Sequence, residues 1–274
     1  MAQKVAVINM KGGVGKSTLC TNLGWHLSAR GWFKKVLVID LDPQFNASQY
    51  LLGVRRYQKD VIEADRPTTW DIFEQATRAP GLRAAGRNIR DAIMNVRGNL
   101  HLIPSQLELS FTLKNPSQKE HLLANFVAEV EDDYDLILID CAPTESVLTT
   151  AAYLSADQIL IPVKLEFLST IGLPLIRQSL GEFDRLYRKK VDVAGICFNM
   201  CADYSPEETA SKKEVKKIAA DFEWHVFKEE VPYSRSFPKG AREGTPIYGT
   251  SYARSNVAAK VSKFCDAFAT EIGL

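Results

Sequence analysis

The sequence predicts an α/β protein, doubly wound around a mainly parallel sheet with helices on both faces. Three observations carry this. Short β-branched apolar runs recur along the chain, they lack the in-out alternation of a half-exposed strand, and helical patterns lie between most of them. Strands covered by helices on both sides read in this way. The runs are Val5 to Ile8, Val36 to Ile39, Leu100 to Ile103, Leu136 to Ile139, Ile159 to Val163 and Val193 to Phe198. The first leads through a glycine-rich stretch into a helical pattern that continues to about Arg30. The second ends in Asp40-Leu41-Asp42-Pro43, the third at Pro104, the fourth in Asp140-Cys141-Ala142-Pro143, and the sixth at Asn199. Between the second and third runs, Val54 to Arg97 has mixed charge and two weak helical signals, and reads as an insertion on the common core. After the sixth run come a lysine-bearing helix, a punctuated stretch from Pro232 to Gly249, and a last helix with Val257, Val261, Phe264 and Phe268 on one stripe. No long linker or repeat interrupts the pattern, so residues 1–274 are expected to form a single domain.

Composition narrows the function classes. The 274 residues are 46% apolar and 24% charged, as in ordinary globular proteins. Lys plus Arg is 34 against 33 for Asp plus Glu, a formal charge of +1. No global field draws this molecule to nucleic acid or membrane, and any such partner must meet a local patch. The apolar runs fall far short of the roughly 20 residues that cross a bilayer. Four apolar residues before Asn9 are too few for a secretory signal, so a cytoplasmic protein is expected. Five cysteines, Cys20, Cys141, Cys197, Cys201 and Cys265, make an odd and scattered set that reads as free thiols.

The chemistry is concentrated after the first strand, in Met10-Lys11-Gly12-Gly13-Val14-Gly15-Lys16-Ser17-Thr18. Glycines let successive backbone N–H groups turn inward around a phosphate chain, and the helix that begins near Ser17 adds its positive end to the same anion. Gly12, Gly13, Val14, Gly15 and Thr18 would form the cradle, Lys16 would reach the β and γ phosphates, and the Ser17 hydroxyl would ligand Mg²⁺. A strict Walker A loop has glycine at the position of Met10, and here a second lysine, Lys11, follows it instead. The fourth run with Asp140 has the Walker B layout, an apolar strand ending in a carboxylate that holds Mg²⁺ through water.

With these residues the chain resembles the deviant Walker A ATPases of the ParA/Soj and MinD type, nearly end to end. The resemblance implies ATP and Mg²⁺ as ligands, and places Lys11 at the signature lysine that crosses a nucleotide-sandwich homodimer to the other subunit's phosphates. It implies that Asp42 orients the attacking water while Asp40 supports the metal shell. It also implies that Asn199 pairs with adenine and that the main chain of Val231-Pro232-Tyr233-Ser234 covers the base, with Pro232 and Ser234 as contacts. Many relatives carry glycine after the Asp-Pro-Gln stretch, where this chain has Phe45.

Lys212, Lys213, Lys216 and Lys217 cover one helical face opposite Val215, Ile218 and Phe222. Such a face is either merely solvated or a nucleic-acid contact. Arg235, Lys239 and Arg242 follow in the same third of the chain. The resemblance implies non-specific DNA binding through these regions, a nucleoid-associated location and a ParB-like activating protein. Because the loop lies within ten residues of the first Met, an operator-reading domain ahead of it is not expected. A MinD-like membrane ATPase is the competing reading, but the last helix has few lysines and a counter-charge, which favours packing on the sheet over a membrane. A metallocluster reductase would need a second suitable cysteine beside Cys141, and a small-molecule kinase would need a substrate site.

Overall fold

The computed structural model describes residues 1–74, 88–166, 171–202 and 206–274. Among these, eight strands form one sheet in the order β3-β4-β2-β5-β1-β6-β7-β8. They are β1 (Gln3–Val7), β2 (Val36–Leu41), β3 (Met94–Arg97), β4 (Leu100–Ile103), β5 (Leu136–Cys141), β6 (Gln158–Lys164), β7 (Asp192–Cys201) and β8 (Val231–Pro232). All neighbours run parallel except β3 and β4. The helices are α1 (Lys16–Leu27), α2 (Asn46–Leu52), α3 (Val54–Tyr57), α4 (Thr69–Glu74), α5 (Leu122–Val130), α6 (Val147–Ser155), α7 (Gly172–Tyr187), α8 (Pro206–Asp221), α9 (Ser236–Glu243) and α10 (Ser255–Glu271).

Strand alternation explains why the apolar runs are continuous. Ala6, Leu37, Ile39, Ile137 and Ile139 face one core, and Val5, Val7, Val36, Val38, Leu136 and Leu138 face the other. Each face of the sheet is covered, so both parities are buried. The six predicted strands are present. β2 and β5 run past the apolar residues, because Asp40 and Asp140 are paired in register inside the sheet and are fully buried, and β7 runs on to Cys201, where it pairs with β8. β3 and the two-residue β8 escaped the sequence reading. β3 is short and half polar, as edge strands are.

The stretch Val54 to Arg97 is more integral than an insertion. Its described residues include Ile72 and Phe73, buried without exposure in the core, and the whole of β3. The last helix packs inward: Val257, Val261, Phe264 and Phe268 are buried, with Phe264 edge-on to Phe227 at 5.3 Å between centroids. Among the described residues, no helix is long and apolar enough to cross a membrane.

Candidate nucleotide site

The loop between β1 and α1 forms one wall of a cavity of about 600 Å³ at the carboxyl edge of the sheet. Gly13 and Gly15 take the left-handed backbone (φ 75° and 82°) that a side chain disfavours. Atoms added at Gly12 or Gly13 would meet only open space, so the cradle is bare where phosphate would approach. Gly15 has a different constraint. A Cβ there would lie 2.5 Å from Asn199 Nδ2 and 2.9 Å from Met200 Cε.

Lys16 is buried, and its ammonium donates to the backbone oxygens of Asn9 and Lys11 at 3.1 and 3.2 Å. Burial lowers its pKa, opposed by the nearby Asp140. Lys11 is turned aside: Nζ lies 2.7 Å from Glu166 Oε2, and its backbone N–H donates to Asn9 Oδ1. Glu166 also pairs with Lys164, and the two lysines hold its carboxyl down to about 2. Sequence reasoning missed Glu166. It follows β6 by two residues on the same sheet edge, and that position was the available signal.

The carboxylates divide into different roles. Asp42 lines the cavity with Lys16 and Ser17, and its Oδ1 accepts from the Gln44 N–H at 2.9 Å. Asp140 lies behind the loop, fully buried, with neither carboxylate oxygen hydrogen-bonded among the described residues. Burial and then the charge of Asp40 push its pKa well up, while the nearby Ser17 hydroxyl opposes the rise. An orphaned buried carboxylate beside a serine hydroxyl fits a hydrated divalent cation, so the residues present suit Mg²⁺.

Two of the expected residues hold other partners in this structure. Asp40 does not line the cavity. Its Oδ2 accepts from the backbone N–H and the hydroxyl of Ser48 at 2.8 and 2.6 Å, and its Oδ1 from the Asp42 N–H at 3.2 Å. Those bonds occupy the carboxylate that was expected to support the metal, so Asp40 braces the loop carrying Asp42. Burial raises its pKa to about 7. The amide of Asn199, expected on adenine, is spent on the phosphate loop: Nδ2 donates to Val14 O at 2.8 Å, and Oδ1 accepts the Met200 N–H.

Pro232 and Ser234 are buried on β8 and the turn after it, where Ser234 Oγ accepts from the Ser236 N–H. They do not border the described cavity, whereas Met200, Gln49, Tyr50, Val54 and Pro143 do. The basic residues separate as well. Lys213, Lys216 and Lys217 are exposed on α8, and Arg235 is exposed at the start of α9. Lys212 is paired with Glu230 at 2.6 Å, and Lys239 with Glu243 at 3.2 Å. Arg242 lines the cavity itself.

A bare glycine cradle, a buried lysine and strand-end carboxylates at one sheet edge define a P-loop nucleotide-binding protein. Comparison with known proteins agrees. A family model described as an AAA domain matches residues 2–193. The chromosome-partitioning ATPase Soj of Treponema pallidum is 30% identical over 90% of this chain and 89% of its own. The ATP complex of Cyanothece McdA superposes with a TM-score of 0.81 at 19% identity, over 100% of this chain and 97% of that one. A plasmid partition protein from Borrelia burgdorferi bound to AMPPNP superposes with a TM-score of 0.74 at 21% identity, covering 97% and 99%. The chain belongs to this AAA-domain family, in the ParA/MinD superfamily of P-loop ATPases.

Proposed function

We propose that the protein is an ATP-driven switch: it binds ATP and Mg²⁺, closes with a second copy around two nucleotides, binds DNA non-specifically in that state, and lets go on hydrolysis. The cargo would be a plasmid, a chromosome or a protein assembly, positioned on the nucleoid of the cytoplasm, with a ParB-like protein as activator. The observation that carries this reading is the sharing of one cavity by Lys16, Ser17 and Asp42, with Lys11, next in sequence to the cavity-lining Gly12, held by an ion pair to Glu166.

Each residue has a task in that cycle. The N–H groups of Gly12, Gly13, Val14 and Gly15 wrap the phosphates, with Thr18 at the start of α1 beside them. Lys16 leaves its two carbonyl partners for the β and γ oxygens and neutralises charge that develops on the transferred group. Asp42 has one oxygen fixed by Gln44 and the other without a protein partner among the described residues, and it orients water for in-line attack. Ser17 and Asp140 would hold Mg²⁺, which when bound neutralises phosphate charge. Lys11 exchanges Glu166 for the phosphates of the second copy, so self-association depends on a triphosphate being present. Differential affinity of the two states for DNA then does the work.

DNA contact is assigned to the exposed lysines of α8 and to Arg235. Phosphate contacts there fix no sequence and weaken steeply with salt. The burial of the apolar stripe of α10 supports this reading over a MinD-like membrane ATPase. The test is size-exclusion chromatography with ATP and Mg²⁺, followed by a DNA mobility assay, on the wild type, Asp42→Ala and Lys11→Ala. The expected result is an ATP-dependent dimer that persists and retains DNA in Asp42→Ala and fails to form in Lys11→Ala. A chain that stays monomeric with ATP bound overturns the switch.

A further inference from the structure

Arg242 stands apart from the other cations of its region. Among the described residues it has no hydrogen bond or ion pair, and it borders the phosphate-loop cavity, whereas Lys239 on the same helix is tied to Glu243 and lies over the Tyr252 ring. Asp42 is the one acid among the described residues lining that cavity, so Lys16 and Arg242 give it a net positive wall.

The seat of α9 is built to hold this arrangement. Gly53, at the end of α2, and Gly244, at the end of α9, both take left-handed backbone (φ 71° and 63°) and meet main chain to main chain. A Cβ on Gly244 would lie 2.9 Å from the Gly53 nitrogen. One on Gly240 would lie 2.7 Å from Thr245 O and 3.2 Å from the Tyr50 hydroxyl. Helices approach this closely only where side chains are absent. Glycine contacts thus bracket Ala241 and Arg242 and hold that turn of α9 over the cavity. α2 starts beside the Asp42 loop, and α9 meets its far end, about 10 Å further along at 1.5 Å per residue. Arg242 therefore sits away from the side where Asp42 meets the terminal phosphate.

We propose that Arg242 is a nucleotide-binding residue whose guanidinium takes the α-phosphate and ribose side of ATP or ADP, making the last turn of α9, unlike Arg235 at its start, part of the nucleotide site and not of a DNA surface. A planar fork of donors suits phosphate oxygens and sugar hydroxyls. The inference rests on the nucleotide reading above.

The test is calorimetric titration of ATP and of ADP, each with Mg²⁺, into an Asp42→Ala parent that does not turn over, and into the same protein carrying Arg242→Ala or Arg242→Lys. DNA retention is measured at saturating ATP. Arg242→Ala is expected to weaken ATP and ADP by similar factors, about tenfold or more, as loss of a charged hydrogen bond implies. Arg242→Lys is expected to recover part of this, and DNA retention should equal that of the parent. The proposal is overturned by unchanged nucleotide affinities, by a loss confined to ATP, or by weakened DNA retention with nucleotide affinity intact. A parent that binds neither nucleotide overturns the functional reading and this inference together, whereas a parent that binds both leaves Arg242 alone on trial.

Discussion

Phe45 shows how one residue can depart from a pattern and be repaid by its neighbours. Its φ of 44° is in the left-handed region, where a side chain costs roughly 1–2 kcal/mol. Its ring stacks on Tyr57 at 5.2 Å with 1° between planes, and the Tyr57 hydroxyl donates to Ser105 O at 2.8 Å. Phe45→Gly removes both strain and stack, and Phe45→Ala removes only the stack. Both variants should be less stable than wild type in urea, and alanine should be the worse by about 1 kcal/mol. Equal midpoints for the two would show that the turn carries no strain. His101 gives the pH dependence. Burial first and then the Lys35 charge lower its pKa, while its Nδ1 contacts the Tyr134 hydroxyl at 2.7 Å. The unfolded chain takes up that proton near pH 6.5 and the native chain resists it, so the His101 contribution to stability falls on acidification through that range, opposite in sign to that of the buried Asp40. Thermal melts from pH 7.5 to 5.5 should show wild type losing its advantage over His101→Gln as the pH drops. The loop residues were legible one by one, because glycines, Lys16 and Ser17 act through a fixed local spacing. The contacts of Asp40 and Asn199 were not, because they depend on partners, Ser48 and Val14, that only the tertiary fold brings near.

At the scale of elements, periodicity exposed the buried strands and failed at the margins of the sheet. β3 and β8 carry too few apolar residues to signal themselves, and α9 was read by its charges and not by the glycines that seat it. The stripe of α10 was legible, and its direction is now fixed inward. Phe264→Ala should cost about 3–5 kcal/mol in chemical denaturation, as truncation of a buried aromatic does. A loss under 1 kcal/mol would mean that this face is not core. On α8 the ion pairs narrow the proposed DNA surface. Lys212 is held by Glu230 and lies over the Phe198 ring, so its loss should matter less than that of its neighbours. The triple variant Lys213→Ala, Lys216→Ala and Lys217→Ala should abolish retention at moderate salt and flatten the salt dependence by about three phosphate contacts. Unchanged slopes would move the DNA surface elsewhere.

For the whole molecule, a formal charge of +1 hides a local asymmetry: Lys16 and Arg242 line the cavity at one sheet edge, and in the proposed switch the second copy would approach there. In the proposed switch Lys11 is the residue both states would compete for, held by Glu166 in the single chain and released to the phosphates of the pair. An exposed ion pair contributes under about 1 kcal/mol, so Glu166 sets a low threshold and not a lock. A closed pair must break that contact twice, once in each copy, and the two small terms add. Glu166→Gln keeps the shape and weakens the hold, so in an Asp42→Ala background the ATP-bound dimer should form at several-fold lower protein concentration, with ATP affinity of the monomer unchanged. Sedimentation equilibrium with ATP and Mg²⁺ measures this directly. An association constant equal to the parent's would mean that Lys11 gains nothing by leaving Glu166, and that the triphosphate reaches the dimer interface by some other contact.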